Sequence, residues 1–239
     1  MPSVFLLKPG SIERDEFGRI LDARSSVTLI INGRHKIVVD SGLLGEEEPI
    51  MRALAELGIK PEEIDCIVNT HSHSDHCGNN HLFFRAKILA AKEGDVIVPG
   101  VWVLATPGHS MDSISVAVET KAVALQMKAN EAELEKVTQA DTELENEAET
   151  ETKLKSNDSV VIIIAGDALP TLGNLQKNVP PASHVDRDLA TASMLRIIAL
   201  ADVVIPGHDF PFSIRKKAYV PLPFRIGPGE GSAGCKLPD

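Results

Sequence analysis

The chain has 239 residues, 43% of them hydrophobic and 24% charged, which is the composition of a globular protein rather than a disordered one. Its formal net charge of −10 is not typical of a nucleic-acid or membrane-surface binder. Nine acidic residues and one lysine lie between Asn130 and Thr152, so most of this charge belongs to one segment. The acidity therefore argues only weakly against phosphate-rich substrates.

The cysteine pattern and the hydropathy indicate the compartment. Cys66, Cys77 and Cys235 are odd in number and form no CxxC pair, so we predict a reducing environment without a disulfide framework. The first residues lack the basic region of a signal peptide, and no apolar run approaches the roughly 20 residues that span a bilayer. We expect a cytoplasmic protein that does not enter a membrane.

The first half of the chain predicts strands and a helix. Ser26–Ile31 and His35–Val39 flank an Asn-Gly pair, which is a strong hairpin signal. The apolar spacing predicts a helix over Glu47–Leu57, and Gly58 follows it as a stop signal. A short apolar strand over Asp65–Thr70 then leads directly into a histidine-rich loop.

The second half predicts further short elements. Val160–Ala165 is an apolar run rich in β-branched residues, which indicates a buried central strand. After the last predicted strand, the Pro-rich tail shows no clear regular structure. In chain order, the other elements are a helix over Asn79–Phe84, strands over Ala86–Ala90, Val96–Val98, Val101–Ala105 and Ser113–Glu119, a helix over Asp186–Ala201 and a strand over Asp202–Ile205.

Strand-rich halves with interspersed helices predict an α+β domain in which two sheets pack together with helices outside. We take residues 1–239 as one such domain. The segment 121–157 is rich in Glu, Lys and Ala and has few large apolar residues. It is either an interaction arm or a solvated insertion, helical or disordered, and we favour the insertion.

A cluster of metal-competent residues follows the Asp65–Thr70 strand. His71 and His73 are two residues apart in an extended segment, so both can point toward one ion. Asp75 and His76 lie on the next bend and can face a second ion. Imidazole and carboxylate are the ligands that zinc and similar cations take at about 2 Å.

Four ligands do not complete two metal sites, and three later strand ends supply candidates. His109 follows Pro107-Gly108 after an apolar strand, and His208 follows Pro206-Gly207 in the same way. Asp167 ends the most apolar strand abruptly, and an ionised carboxylate there needs a compensating charge.

An HxHxDH loop followed by a His, an Asp and a His in that order resembles the metallo-β-lactamase superfamily. The match runs from about Val27 to His208, outside the acidic segment. The segments 79–83, 101–109 and 201–212 resemble a small subgroup typified by metallo-β-lactamase domain-containing protein 1.

This resemblance implies an αββα sandwich of two mixed sheets flanked by helices, with the site at one edge. It implies that a water or hydroxide between two divalent ions is the nucleophile, with Asp75 and Asp167 in catalytic roles. Zinc is the favoured metal, and iron or manganese are the alternatives. The implied ligands are His71, His73 and His109 for one ion, Asp75, His76 and His208 for the other, and Asp167 for both.

Departures from familiar branches narrow the reaction. Asp167 is typically absent from antibiotic-hydrolysing members, so its presence favours hydrolysis of an ester, thioester or phosphodiester. Diiron oxygen-reducing members usually carry Glu at the position of His73, so oxygen reduction is disfavoured. Lactonases are expected to have a Tyr between the last two motifs, whereas the single tyrosine, Tyr219, follows them.

Secondary roles follow from the same resemblance. Asp40 matches an early Asp of the family that orients a ligand imidazole, and Thr70 and Ser110 are candidates for similar hydrogen bonds. His184 is a minor candidate for a proton donor to the leaving group.

Other functions stay open. One is a mononuclear iron sulfur dioxygenase that uses His71, His73 and His109. The others are an endoribonuclease-type phosphodiesterase and a metal-holding module without turnover. We expect a small-molecule substrate and no membrane partner. RNA is weakly supported, and a homodimer is an open alternative.

Overall fold

The computed structural model describes residues 1–121 and 159–220, together with the backbone of Arg225–Ile226. The strands are β1 (Ser3–Lys8), β2 (Ser11–Arg14), β3 (Ile20–Arg24), β4 (Val27–Asn32), β5 (His35–Val39), β6 (Cys66–Val68), β7 (Lys87–Ile88), β8 (Val96–Val98), β9 (Val101–Ala105), β10 (Ile114–Lys121), β11 (Ser159–Gly166), β12 (Val203–Pro206), β13 (Phe212–Ser213), β14 (Ala218–Tyr219) and β15 (Arg225–Ile226). The helices are α1 (Glu47–Glu56), α2 (Ser74–Cys77), α3 (Leu172–Lys177) and α4 (Arg187–Leu200), with 3-10 turns at Pro61–Glu63 and Asn80–Phe83.

Two mixed sheets and one separate hairpin contain all the strands of the described residues. The first sheet has the order β15-β1-β4-β5-β6-β7, and the second has the order β14-β13-β12-β11-β10-β9-β8. β5, β6 and β7 run parallel in the first sheet, and β11 and β12 run parallel in the second. The remaining pairs are antiparallel, and β2 and β3 pair with each other.

Three apolar clusters fix the layer order. One joins the facing sides of the two sheets, where Ile30 and Val39 of the first sheet meet Val116 and Ile162 of the second. A second lies between α1 and the outer face of the first sheet, and a third between α3, α4 and the outer face of the second. The order is therefore helix, sheet, sheet, helix, as the α+β prediction and the αββα resemblance required.

Local sequence explains where the longer helices begin and end. α1 buries Ile50 and Leu54, four residues apart on one face, and Gly58 follows it with a φ of 68°. α4 begins after Asp186, whose side chain accepts a hydrogen bond from the Leu189 backbone nitrogen at 3.0 Å. No helix in the described part of the chain is long and apolar enough to cross a lipid bilayer.

Most predicted elements are present with small shifts of their ends, but the predicted absence of regular structure after His208 is wrong. The tail contributes β13, β14 and β15, and β15 pairs with β1 at the edge of the first sheet. The N-terminal strands β1, β2 and β3 were also not expected. β13, β14 and β15 have two residues each, and β2 and β3 have mixed polarity, so these five strands show no periodic signal of their own. β1 is a six-residue apolar run, which is compatible with a strand from its sequence.

The acidic insertion predicted at 121–157 falls almost wholly outside the described residues. The strands on either side of it are described, and they pair antiparallel from Lys121 opposite Ser159.

Ile162 tests the inter-sheet core, because it is fully buried in the central strand β11. We expect Ile162→Ala to lower the free energy of unfolding by about 2–5 kcal/mol through lost burial and a residual cavity. Urea denaturation of the purified protein measures the loss. The matched control is Ile88→Ala, at a side chain that is 55% exposed. Similar stability losses in the two variants would contradict this core assignment.

Candidate metal centre

The seven predicted ligands come from four separate chain segments that end at one edge of the sandwich. The His71–His76 loop follows β6, and His109 follows β9. Asp167 and His208 follow β11 and β12, which are parallel neighbours, so their carboxyl ends lie side by side. The structure brings all seven side chains together in three overlapping groups.

The first group is a compact triangle of imidazoles. The Nδ1 atom of His73 lies 2.9 Å from Nε2 of His71 and 3.0 Å from Nε2 of His109. A tetrahedral ion with bonds of about 2.0 Å requires its nitrogen ligands about 3.3 Å apart. The three nitrogens therefore lie close to the positions that one ion requires.

The second group combines a carboxylate with two imidazoles. Oδ2 of Asp75 lies 3.7 Å from Nε2 of His76 and 3.5 Å from Nε2 of His208. His76 and His208 are buried, and Asp75 is half-buried.

Asp167 lies between the two groups. Its Oδ1 atom is 3.2 Å from Nε2 of His76 and 3.0 Å from Nε2 of His208. Its Oδ2 atom is 3.3 Å from Nε2 of His109, which belongs to the imidazole triangle. Oδ2 also lies 3.3 Å from Nε2 of His208, so this one carboxylate contacts both groups.

Four imidazoles have a partner at their other ring nitrogen. For His71 it is the Thr70 hydroxyl, which lies 3.2 Å from Nδ1, as expected for Thr70. Nδ1 of His76 lies 2.8 Å from Oδ2 of Asp40, which is the contact expected for Asp40. Nδ1 of His109 lies 2.8 Å from the Ser183 carbonyl, and Nδ1 of His208 lies 3.1 Å from the Arg24 carbonyl. A proton on each Nδ1 would leave Nε2 unprotonated and directed at the site.

Thr70 holds Asp40 in place. It donates to the carboxylate from its backbone nitrogen at 2.7 Å and from its hydroxyl at 2.8 Å. Ser110 does not reach an imidazole through any described hydrogen bond. Its hydroxyl bonds instead to Asp112 and Ser113.

The electrostatics of the site favour ionised carboxylates. Burial favours the neutral acid, but the imidazoles of His208 and His76 outweigh it and hold the pKa of Asp167 well below its usual range. Burial also opposes protonation of His76, yet Asp40 and Asp167 raise the pKa of His76 well above its ordinary value. Burial and the neighbouring His76 lower the pKa of His71 to about 2.

Two glycines allow the close packing behind the ligands. Gly108 has a φ of 129°, and a Cβ atom there would clash with the Ala190 backbone nitrogen at the start of α4. A Cβ atom on Gly207 would clash with Oδ1 of Asp167. The Pro-Gly-His pattern at both positions therefore has a steric cause.

The residues fit a metal ion on chemical grounds. Nε2 of His76 and Oδ1 of Asp167 are buried and make no properly oriented hydrogen bond, although they lie 3.2 Å apart. Buried polar atoms without partners are costly, and a cation between them would satisfy both. The imidazole and carboxylate donors suit zinc and other divalent transition metals.

A cavity of about 190 Å³ opens over the ligands. His73, Asp75, His109, Asp167 and His208 form its floor. Its walls come from the loop after α3, through Pro181, Ala182 and Ser183, from Pro170, and from the β2–β3 hairpin.

Sequence reasoning missed the hairpin and the two backbone carbonyls that orient His109 and His208. A backbone carbonyl carries no residue-specific signal. The mixed polarity of β2 and β3 gives no alternation from which these strands could be predicted. Neither His184 nor Tyr219 lines the cavity, and the Tyr219 hydroxyl donates to Asp209 at 2.9 Å.

Comparison with known proteins gives the class. The sequence-family model of the Metallo-beta-lactamase superfamily matches residues 22–99, which include the HxHxDH loop. A probable metallo-hydrolase of Methanocaldococcus jannaschii is 30% identical over 184 residues, covering 72% of this chain and 70% of the relative. Metallo-beta-lactamase domain-containing protein 1 of Xenopus laevis is 27% identical, covering 90% of this chain and 82% of the relative.

A solved structure shows the same fold. A mutant of AiiA from B. thuringiensis, with N-decanoyl-L-homoserine bound at its active site, superposes with a TM-score of 0.61 at 20% identity, covering 94% of this chain and 98% of that one. The chain belongs to the metallo-beta-lactamase superfamily and is a metal-dependent hydrolase of that class.

Asp40→Asn tests the orientation of His76. The amide keeps the shape of the carboxylate but loses its charge, so we expect metal affinity to fall about 10–100-fold. Competition with a chromophoric chelator measures the dissociation constant. Asp188→Asn, at an exposed position of α4, removes the same charge away from the candidate ligands and serves as the control. Equal affinities for Asp40→Asn and the unmodified protein would contradict this role.

Proposed function

We propose that the protein is a dinuclear metal hydrolase that cleaves an ester, thioester or phosphodiester bond in a small molecule. The observation that carries the proposal is Asp167. Its Oδ2 atom lies 3.3 Å from Nε2 of both His109 and His208, and its Oδ1 atom lies 3.0 Å from Nε2 of His208 and 3.2 Å from Nε2 of His76. The carboxylate therefore contacts both ligand groups. A carboxylate in that position suits two neighbouring ions better than one.

Each group of side chains has a distinct task in this proposal. His71, His73 and His109 would hold one ion, and Asp75, His76 and His208 would hold the second, with Asp167 bridging them. When bound, such ions lower the pKa of a water and polarise the carbonyl or phosphoryl oxygen under attack. Zinc is the proposed metal because imidazole and carboxylate ligands at this spacing suit it.

The protein side chains supply positioning rather than a nucleophile. Asp40 and the carbonyls of Ser183 and Arg24 keep three imidazoles turned toward the site. Asp75 is half-buried at the floor of the cavity, so its carboxylate lies where the substrate approaches. It is the proposed acceptor for the proton that the attacking water releases.

The surroundings support a small substrate. The cavity of about 190 Å³ has room for a few substrate groups beyond the scissile bond, and prolines and aliphatic residues contribute to its walls. RNA as a substrate is less favoured because the cavity is small. The formal net charge of −10 adds only a weak argument, since most of it belongs to the segment between Asn130 and Thr152.

Metal content tests the dinuclear assignment. We expect natively purified protein to hold two zinc ions per chain, and Asp75→Ala to lower that number toward one. Inductively coupled plasma mass spectrometry after dialysis gives the stoichiometry. The control is Asp188→Ala on the exposed side of α4. A single iron per chain would overturn the hydrolase proposal in favour of a sulfur dioxygenase that uses His71, His73 and His109.

Turnover tests the catalytic assignment. We expect at least one substrate in a panel of thioesters, lactones and phosphodiesters to be hydrolysed. Asp167→Ala should lower kcat at least about a thousandfold, because metal ions contribute several kcal/mol of transition-state stabilisation. Asp188→Ala should retain full activity. If the unmodified, metal-loaded protein cleaves nothing in the panel, a binding module without turnover becomes the better description.

A further inference from the structure

The β2–β3 hairpin presents one defined face to the metal-centre cavity. Its register pairs Ile12 with Ala23 and Arg14 with Ile20. These four residues are the hairpin residues that line the cavity. Side chains alternate along a strand, so Glu13, which pairs with Asp22, lies on the opposite face.

The base of the hairpin is fixed to the loop that carries His208. The backbone nitrogen of Ser26 donates to the Gly207 carbonyl at 2.7 Å, and its hydroxyl donates to the Pro206 carbonyl at 2.6 Å. The Arg24 carbonyl contacts Nδ1 of His208 at 3.1 Å. The base of the hairpin is therefore held beside His208.

Arg14 is the one permanently cationic side chain that lines the cavity in the described part of the chain. Its guanidinium donates to the Gly18 carbonyl at 2.9 Å, and no carboxylate of the described residues pairs with it. A guanidinium has five N–H donors, so most of them are available to a ligand.

The two neighbouring arginines differ from Arg14 in this respect. Arg24 pairs with Asp22 at 2.6 Å and lies 3.4 Å from Glu46. Arg19 pairs with Asp15 at 2.6 Å and is not a lining residue. Their charges are compensated within the protein, whereas Arg14 lines the cavity and has no partner carboxylate among the described residues.

We propose that Arg14 forms a binding subsite for an oxyanion on the substrate, a carboxylate or a phosphate remote from the scissile bond. Ile12, Ile20 and Pro170 would contact the apolar segment between that anion and the bond that is cleaved. A fork of parallel N–H donors matches the geometry of either oxyanion. The link to a reaction rests on the proposed function, but the binding of the anion does not.

Matched thioesters test the subsite through kinetics. The N-acetylcysteamine thioesters of butyric, succinic and 3-phosphonopropionic acids differ in the group at the far end of the acyl chain, which is methyl, carboxylate or phosphonate. We expect Arg14→Gln to raise KM about tenfold for the anionic thioesters, with little change in kcat. The butyryl thioester should show less than a twofold change in KM. The two anionic arms distinguish carboxylate from phosphate recognition.

Two further variants separate charge from hairpin integrity. Arg19→Gln removes the same charge from the same hairpin and should leave the KM of every thioester unchanged. Arg14→Lys should recover part of the loss, because it keeps the charge without the fork. An equal change for butyryl and succinyl thioesters in Arg14→Gln would mean that Arg14 supports the hairpin and would overturn the subsite.

Calorimetric titration of the zinc-loaded protein with succinate, and with butyrate as the neutral-tail control, gives a readout independent of turnover. We expect Arg14→Gln to weaken succinate binding about tenfold and butyrate binding far less. If no thioester is cleaved while this difference persists, the subsite stands and the hydrolase proposal fails. If thioesters are cleaved and neither KM nor succinate affinity depends on Arg14, the subsite is overturned and the hydrolase proposal stands.

Discussion

The desolvation of one buried cluster of ionisable side chains is the strongest constraint on this structure. Asp167 and the imidazoles of His71, His76, His109 and His208 are buried, and Asp167 lies about 3 Å from ring nitrogens of His76, His109 and His208. Such a cluster is costly unless a cation compensates it. Much of the surrounding architecture serves to hold these side chains in place, from the carboxylate of Asp40 to the glycines that let neighbouring chains approach.

The sandwich meets this demand by converging strand ends. β11 and β12 run parallel, so the two residues that follow them, Asp167 and His208, emerge at one edge. β5 and β6 do the same in the other sheet and deliver Asp40 and the His71 loop. The strands pack in three apolar clusters, so the candidate ligands at their ends are attached to a rigid core.

The β2–β3 hairpin contacts the candidate metal centre and also lines the cavity above it. It belongs to neither large sheet, yet its base bonds to the backbone around His208. The same segment therefore contacts the candidate ligand His208 through the Arg24 carbonyl and contributes Ile12, Arg14, Ile20 and Ala23 to the wall of the cavity. A short stretch of backbone consequently links the proposed metal centre to the shape of the cavity above it.

The sequence by itself determined the candidate ligands and the layer architecture. The His71–His76 spacing, the repeated Pro-Gly-His and the carboxylate ending an apolar strand are local patterns, and periodicity located most of the long elements. Tertiary structure decided the rest: the pairing of β15 with β1, the carbonyls that turn His109 and His208, and the placement of Arg14 over the cavity. These features depend on contacts between residues far apart in the chain, such as Arg24 with His208, and on very short strands or backbone atoms that carry no residue-specific signal.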